Sequence, residues 1–280
     1  MSIKIITDSS CDLSNDLIQK YNIKNIGLSV LINNENYKDT DLDYETFYKQ
    51  MRESKELPKT ACPSPDTFAR EYDCEEDNII VFTLTSKLSG TYSAAVLGKD
   101  IFLEDNSKNI AVIDTECGTV GHGLMVLKTA ELIKNKNLSF EDVLKEIDIM
   151  KQQVKVYGTL ETLDNAIKGG RISSVKGKIA NALNLKGLII VEDGIAKPFG
   201  TARGEINSLN KVVDYIIDSA KDKKSEELII NIGHANSPKK AEKVKEIIQS
   251  KFNCKEIIIS SIGPAMGTYT AEGAIIIAIL

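Results

Sequence analysis

The sequence contains few of the residues from which metal sites and disulfide frameworks are built. Among 280 residues there are only two histidines and five cysteines. The cysteines are far apart, no two form a C-x-x-C pair, and their number is odd, which is typical of reduced thiols. The histidines, His122 and His234, lie 112 positions apart, a spacing that supports no zinc site. We therefore expect neither a metal nor a cofactor.

Long apolar runs and charge of one sign are also scarce. No stretch reaches the ~20 apolar residues that a membrane-spanning helix needs, and the longest run, residues 274–280, is typical of a buried strand. The N-terminus lacks the charged start, apolar stretch and cleavage site of a signal peptide, which predicts a cytoplasmic protein. The net charge is −5 and the basic residues are scattered, so nucleic-acid binding is disfavoured.

What remains is the composition of an ordinary globular protein. Apolar residues make up 42% and charged residues 27%, which excludes a disordered chain, collagen and a coiled coil. The length suits two modest domains or one large one, because domains usually contain ~100–200 residues.

The N-terminal half alternates apolar strands with amphipathic helices. We predict strands at residues 3–7, 26–32, 79–84 and 110–114, and helices at 15–21, 43–54, 64–73, 90–103, 119–136 and 139–153. Such alternation indicates a parallel sheet with helices on both faces. We therefore predict an α/β fold whose first domain is formed by residues 1–154.

The C-terminal half, residues 155–280, is less regular. The turn Glu192-Asp193-Gly194 between two apolar segments predicts a β-hairpin. We predict strands at residues 154–158, 188–191, 195–199, 227–232, 256–261 and 274–280, and helices at 205–220 and 237–251. A hairpin combined with helices indicates a second α/β domain with a mixed sheet.

Three hydroxyl-rich segments fall at the ends of predicted strands, where ligands bind to open parallel sheets. They are Asp8-Ser9-Ser10, residues 59–65 with Thr60, and residues 85–91 with Ser89, Gly90 and Thr91. Helix N-termini attract anions, so these segments indicate a small-anion site built from hydroxyls and amides. The alternative interpretation is that they form only caps and turns, as serine and threonine do in most proteins.

Motifs that would indicate an enzyme are weaker than the indications of an anion site. No motif connects either histidine to Ser89, and no G-x-S-x-G sequence is present. The segment at 118–123 does not match G-x-G-x-x-G, and nothing marks Cys62 as an activated thiol. A hydrolase or phosphotransferase that uses Asp8-Ser9-Ser10 and Ser89 on a small anionic substrate remains an alternative.

Two arginines stand between small residues. Arg171 follows Gly169-Gly170, and Arg203 lies in Thr201-Ala202-Arg203-Gly204. An arginine in such a loop can present its planar group to a carboxylate or a phosphate. The alternative is a surface ion pair, which contributes less than ~1 kcal/mol to stability.

Six motifs occur in an order that matches a known family. They are Asp8-Ser9-Ser10, Thr60-x-x-Pro63-Ser64-Pro65, Ser89-Gly90-Thr91-Tyr92, Gly170-Arg171-Ile172-Ser173, the Arg203 segment and Ile262-Gly263-Pro264. With these motifs the sequence resembles the DegV family of bacterial fatty-acid-binding proteins over essentially its whole length. The resemblance implies two α/β domains with a fatty acid between them, and a binding protein that performs no chemistry itself.

The resemblance also implies roles for particular residues. The carboxylate of the fatty acid is expected near the cleft between the domains. The residues expected to form its site are Thr60, Ser89, Gly90, Thr91, Tyr269, Asp8 and Ser9. Some family members present the bound carboxylate to a separate ATP-dependent fatty acid kinase for phospholipid synthesis, and arginines matching Arg171 and Arg203 contribute to that interaction.

One segment departs from the family pattern. Residues 267–273 read GTYTAEG, where members commonly have a histidine at the position of Tyr269. A phenol is neutral at pH 7, whereas a histidine can become a cation. Glu272 would add negative charge if it faced the site. Both changes are expected to weaken carboxylate binding.

The acyl chain is expected in a tunnel of the second domain. Apolar residues that could line it are Ile179, Ala182, Leu183, Leu185, Leu188, Ile190, Ile195 and Phe199. The same residues would equally serve an ordinary core, and a binding protein for a non-lipid anion remains a further alternative.

Overall fold

The structure is a computed structural model that describes residues 2–173 and 184–280. The strands in these residues are β1 (Ile3–Asp8), β2 (Lys24–Ile26), β3 (Ser29–Ile32), β4 (Glu35–Lys38), β5 (Lys59–Ala61), β6 (Asn78–Thr83), β7 (Asn109–Asp114), β8 (Lys155–Leu160), β9 (Leu185–Glu192), β10 (Ile195–Arg203), β11 (Ile229–His234), β12 (Glu256–Ser261) and β13 (Ile275–Ile279). The helices are α1 (Asn15–Lys20), α2 (Tyr44–Glu53), α3 (Pro65–Tyr72), α4 (Thr91–Leu103), α5 (Thr119–Asn135), α6 (Phe140–Gln153), α7 (Asp164–Lys168), α8 (Glu205–Asp218), α9 (Pro238–Lys251) and α10 (Pro264–Thr270).

The first sheet is parallel, as predicted, and has the strand order β2-β1-β6-β7. Every residue of β6 is buried, because its two faces meet different helices. Ile79 and Val81 pack in the core that contains α3 and α4, and Ile80 and Phe82 pack in the core that contains α5. Burial on both faces explains why this strand is a continuous apolar run rather than an alternating one.

The single strand predicted at residues 26–32 is wrong. The chain leaves the parallel sheet at Gly27, and β3 joins β4 and β5 in a separate antiparallel sheet of order β4-β3-β5. Gly27 has no room for a side chain, since a Cβ there would approach Thr40 Oγ1 to 2.7 Å. Leu28 beyond it is held by two hydrogen bonds, because its N–H donates to Ser9 Oγ at 3.0 Å and its carbonyl accepts from the Asp39 N–H at 2.9 Å.

The second sheet is mixed and has the order β10-β9-β8-β13-β11-β12. The predicted hairpin is confirmed as β9 and β10, which pair antiparallel with an irregularity between Pro198 and Gly200. The C-terminal apolar run forms β13 in the centre of this sheet, between β8 and β11. Helices α8 and α9 cover one face. Both α/β units of the predicted fold class are therefore present.

Helix α5 packs against both sheets. It contacts β1 and β6 on one side and β11 and β13 on the other. Its glycines allow this close approach, because a Cβ at Gly121 would lie 2.6 Å from Val156 Cγ2 and a Cβ at Gly123 would collide with the Cys11 carbonyl oxygen. Since the core around α5 contains residues of both sheets, the division into domains at 1–154 and 155–280 stays a prediction.

The helices of the described residues include none that is long and apolar enough to cross a membrane.

The close contact at α5 generates a prediction for stability. Gly123→Ala is expected to lower the free energy of unfolding by about 1–3 kcal/mol, because the added methyl forces the helix away from the backbone of Cys11. Urea denaturation followed by circular dichroism would measure it. Gly200→Ala is the control, since its Cβ would meet no atom closer than Leu188 Cδ1 at 3.8 Å. Equal stability of the two variants would show that the contact at α5 is not tight.

Candidate functional site

A small cavity lies where the two halves of the chain meet. Its volume is about 70 Å³, whereas ligand pockets usually measure ~300–1,000 Å³. Ten of the lining residues are apolar: Leu28, Leu84, Leu88, Leu160, Ala166, Ile172, Ile189, Ala196, Ala265 and Met266. The other five are Thr60, Ser89, Arg171, Tyr269 and Thr270. A ligand with a long acyl chain therefore fits only if these side chains move apart.

Three of the polar lining residues form a contiguous group. The hydroxyls of Thr60 and Tyr269 are hydrogen-bonded at 2.7 Å, although 209 positions separate them in the sequence. The guanidinium carbon of Arg171 lies 4.5 Å from the centre of the Tyr269 ring, within the range of a cation–π interaction. The group thus combines two hydroxyls and one positive charge at the cavity wall.

Ser89 belongs to the turn that begins α4. Its hydroxyl is hydrogen-bonded to Thr91 Oγ1 at 2.8 Å and accepts from the Thr91 N–H at 3.3 Å. Gly90 brings this turn close to the segment that carries Thr60, since a Cβ at Gly90 would lie 3.4 Å from Cys62 Sγ. Gly90 and Thr91 themselves are not among the lining residues.

The position of Tyr269 depends on glycine and on a long-range anchor. Its ring lies against the backbone of Gly169, where any Cβ would collide with it. The N-terminus of α10 is held by Asp12, whose Oδ1 accepts from the Gly263 N–H at 2.8 Å. Tyr48 donates its hydroxyl proton to the Ile262 carbonyl at 2.9 Å. The ring is therefore fixed from both halves of the chain.

Asp8 and Ser9 lie behind the cavity wall rather than on it. Asp8 is fully buried, and its Oδ2 accepts from the Leu84 N–H at 2.7 Å. Ser9 donates to Asp39 Oδ2 at 2.7 Å and accepts from the Leu28 N–H. Both residues thus position lining residues of the cavity, and a direct contact with a ligand stays a prediction for them.

The structure places Arg171 and Arg203 differently with respect to the cavity. Arg171 lines the cavity. Its backbone N–H donates to the Ala166 carbonyl at 2.9 Å, which fixes the loop after α7. Arg203 is exposed at the end of β10 and does not line the cavity. Glu272 does not line it either, because its carboxylate binds Arg52 and Asn236. The negative charge considered for the site is therefore paired elsewhere.

The predicted tunnel residues that the structure describes lie outside the cavity lining. Leu188 and Phe199 pack with α8, whereas the neighbouring strand positions Ile189 and Ala196 line the cavity. The described members Leu185, Leu188, Ile190, Ile195 and Phe199 do not line it, and Ile179, Ala182 and Leu183 lie outside the described residues. Leu188 and Phe199 thus serve a core, the alternative role left open for these residues, and the tunnel stays a prediction.

Neither histidine is placed to activate Ser89. His122 is buried, its ring nitrogens lie 2.9 Å from Thr7 Oγ1 and 3.3 Å from Ser10 Oγ, and burial lowers its pKa from the ordinary value. His234 Nδ1 accepts from the Ser237 N–H. In the part of the chain that the structure describes, the site therefore has no histidine base within hydrogen-bonding distance of Ser89.

A larger groove of about 940 Å³ lies elsewhere on the surface. Its lining mixes both charges, with Glu116 paired to Lys151 at 3.0 Å. None of the residues predicted for the carboxylate site lines it, although Ile190 of the predicted tunnel does. An open groove of mixed charge suits an acyl chain poorly, so the cavity at Tyr269 is the candidate site.

Two further buried carboxylates, Asp39 and Asp12, bond to segments next to the cavity. Asp39 is 3% exposed, and burial raises its pKa to about 7, while the hydrogen bond from Ser9 acts in the opposite direction and the charge of Asp8 adds to the rise. Burial also raises the pKa of Asp12 well above its usual range. One oxygen of Asp12 and one of Asp39 are buried without a hydrogen-bond partner. These groups destabilise the fold when they ionise.

The fold and the cavity define the chain as a two-domain α/β protein with a mostly apolar site at the junction of its halves. A model of the family described as "Uncharacterised protein, DegV family" matches residues 2–280. A DegV domain-containing protein of Lactococcus lactis is 32% identical over 277 residues, which cover 98% of this chain and 97% of that protein. The chain belongs to the DegV family, and the resemblance carried by the six motifs is confirmed.

Solved structures agree over the whole chain. A DegV family protein of Ruminococcus gnavus, refined with vaccenic acid, is 29% identical with a TM-score of 0.93 and 99% coverage of both chains. The fatty acid kinase (Fak) B3 protein of Streptococcus pneumoniae, loaded with linoleic acid, is 28% identical with a TM-score of 0.88 and 99% coverage of both chains.

The buried carboxylate of Asp39 predicts a pH dependence of stability. Its pKa is raised on folding from ~3.9 to about 7, so the folded state loses stability as the pH rises through this window and the loss is complete above it. Asp39→Asn is expected to raise the free energy of unfolding at pH 8 by about 1–3 kcal/mol and to have a smaller effect at pH 4.5.

Urea denaturation at both pH values would measure this difference. Asp41→Asn is the control, because Asp41 is exposed two residues away in the same turn, and a change below about 0.5 kcal/mol is expected for it. An Asp39→Asn variant with the same gain at both pH values would contradict the buried charge as the cause.

Proposed function

We propose that this protein binds a long-chain fatty acid. The acyl chain is placed among the apolar lining residues, and the carboxylate is placed beside Thr60, Ser89 and Tyr269. The observation that carries the proposal is the pairing of Thr60 with Tyr269 at the wall of a mostly apolar cavity. The similar proteins from R. gnavus and S. pneumoniae, whose structures contain vaccenic acid and linoleic acid, support it.

The energetics suit a lipid. Burial of one CH₂ contributes ~0.8 kcal/mol, so a chain of about 16 carbons contributes on the order of 12 kcal/mol before the losses of binding entropy. This is enough to offset the movement of lining side chains that a cavity of about 70 Å³ requires. The carboxylate must keep hydrogen bonds as it leaves water, and hydroxyls at the wall can supply them.

We further propose that the protein performs no reaction on its ligand. Ser89 is hydrogen-bonded to Thr91, and the hydrogen-bonding groups around His122 belong to the buried turn behind the wall. The similarity to the Fak B3 protein supports a partner, an ATP-dependent fatty acid kinase to which the bound carboxylate is presented in the cytoplasm. Arg203 is available for such a partner, because its side chain is exposed.

Native mass spectrometry of the purified protein tests the proposal. Release of a long-chain fatty acid in equal amount to the protein on denaturation is the expected result. A protein that carries no lipid and also fails to take up added fatty acids would contradict it. Turnover of a small anionic substrate without a partner would instead favour the hydrolase or phosphotransferase alternative, and capture of a short polar anion would favour the non-lipid binding protein.

The head-group site predicts the effect of a double variant. Thr60→Ala combined with Ser89→Ala is expected to weaken binding of a fatty acid by about 100-fold or more, because each hydrogen bond to a charged group contributes ~1.5–3 kcal/mol. Displacement of a fluorescent fatty acid would measure the affinity. Ser107→Ala, at an exposed serine beyond α4, should bind as the wild type does. Unchanged affinity in the double variant would remove these hydroxyls from the site.

A further inference from the structure

The cavity has a volume of about 70 Å³, so one of its walls has to move before an acyl chain can enter. One wall contains α10, and three side chains of the N-terminal half bond to its segment. They are Asp12, which accepts from the Gly263 N–H, Tyr48, which donates to the Ile262 carbonyl, and Thr60, which bonds to Tyr269. Separation of this wall would leave several polar groups without partners, which is costly.

The β9–β10 hairpin is joined to the N-terminal half more weakly. Thr85 Oγ1 donates to the Gly194 carbonyl, at the tip of the hairpin, at 3.0 Å. Among the described residues, this is the one hydrogen bond between the hairpin, residues 185–203, and residues 2–154, and no salt bridge joins them. The two halves therefore separate most easily at the hairpin.

The tip of the hairpin packs tightly on Thr85. Thr85 is fully buried, and Gly194 is buried although Asp193 and Ile195 on either side of it are exposed. A Cβ at Gly194 would collide with Thr85 Oγ1, and its φ of 76° is one that glycine adopts readily. Glycine thus permits both the turn and the close approach to the hydroxyl.

Thr85 also fixes the wall that faces the hairpin. Its carbonyl accepts from the N–H groups of Leu88 and Ser89 at 3.1 and 3.2 Å. Both residues line the cavity, as do Ile189 and Ala196 of the hairpin. The hydrogen bond from Thr85 to the hairpin tip therefore joins two opposite walls of the cavity.

Strand β10 is the part of the hairpin that can move. It lies at the edge of the described sheet and pairs with β9, whereas β9 is also paired with β8. Its pairing is irregular between Pro198 and Gly200, and a proline has no N–H to donate to a neighbouring strand. The tip and the first residues of β10, which include Ala196, can therefore bend outward while β9 stays in place.

We propose that the lipid enters between β10 and the loop of residues 85–89, and that the hydrogen bond of Thr85 to Gly194 keeps this entrance closed. The bond breaks when β10 moves outward, and it forms again once the acyl chain lies in the cavity. The acyl chain replaces the apolar contacts that are lost, but it offers no partner for the Gly194 carbonyl. This inference rests on the proposed fatty-acid-binding function.

Stopped-flow fluorescence with cis-parinaric acid, a fluorescent fatty acid, on the full-length protein tests the inference. Thr85→Val removes the hydroxyl and keeps the size of the side chain. The rate constants of association and dissociation are both expected to rise by about 2- to 10-fold, the effect of losing one neutral hydrogen bond. The affinity should change by less than about twofold, because the bond is present in the closed protein both with and without lipid.

Thr83→Val is the matched control. Thr83 is equally buried, but its hydroxyl donates to the Ile113 carbonyl within the first sheet, so wild-type rates are expected. Thr85→Ser keeps the hydroxyl and should also retain wild-type rates. Gly194→Ala tests the same contact from the hairpin and should accelerate both steps, including in the case that Thr85→Val does not fold.

Unchanged rates in Thr85→Val and Gly194→Ala, equal acceleration in Thr83→Val, or a loss of affinity without faster association would overturn the inference while the proposed function stands. A wild-type protein that binds neither cis-parinaric acid nor palmitic acid would overturn the proposed function and this inference together.

Discussion

The sharing of α5 between two sheets is the constraint on which the rest of the structure depends. One side of the helix meets β1 and β6, and the other meets β11 and β13. Gly123 brings it close to the backbone of Cys11, and Gly121 brings it close to the Val156 side chain, so the helix itself sets the spacing of the two sheets. Interiors packed this closely deform little, and the geometry of the junction is therefore rigid at its base.

Polar contacts position the site above this base. Asp8 holds the backbone of Leu84, Ser9 holds that of Leu28, and Asp12 holds the start of α10. The same region also buries the carboxyl of Asp39, and burial, with a smaller contribution from the charge of Asp8, raises the pKa of Asp39 at a cost in stability. Asp8 and Ser9, which the motif pattern placed at a ligand, thus position residues of the cavity wall. The buried carboxylates lower the stability of the fold, while the hydrogen bonds of this region fix the cavity wall.

The site is narrow, and the polar side chains of its wall form hydrogen bonds within the protein. Thr60 and Tyr269 hydrogen-bond to each other, and the Arg171 guanidinium donates to the Gly169 carbonyl. A carboxylate offers stronger, charge-assisted bonds to the same donors. Because the apolar walls are nearly closed, the proposed function requires that burial of an acyl chain drives them apart, so that chain length contributes to recognition.

Local patterns were sufficient to derive much of this protein. The apolar runs of β1, β6 and β7, the hairpin of β9 and β10, and the six ordered motifs all follow from short segments, because strand, turn and cap preferences act over a few residues. The break at Gly27 and the separate sheet of β3, β4 and β5 do not, since they depend on Thr40 and Ser9, which are distant in sequence.

Only the tertiary structure decided which residues meet at the cavity. The sequence showed that β9 is apolar, but packing against α8 determined that Leu188 faces one core and Ile189 the cavity. The bond of Thr60 to Tyr269 and the cation–π contact of Arg171 with that ring join three distant segments. Contacts of this kind come from the packing of whole sheets around a shared helix, and no local preference of a side chain specifies them.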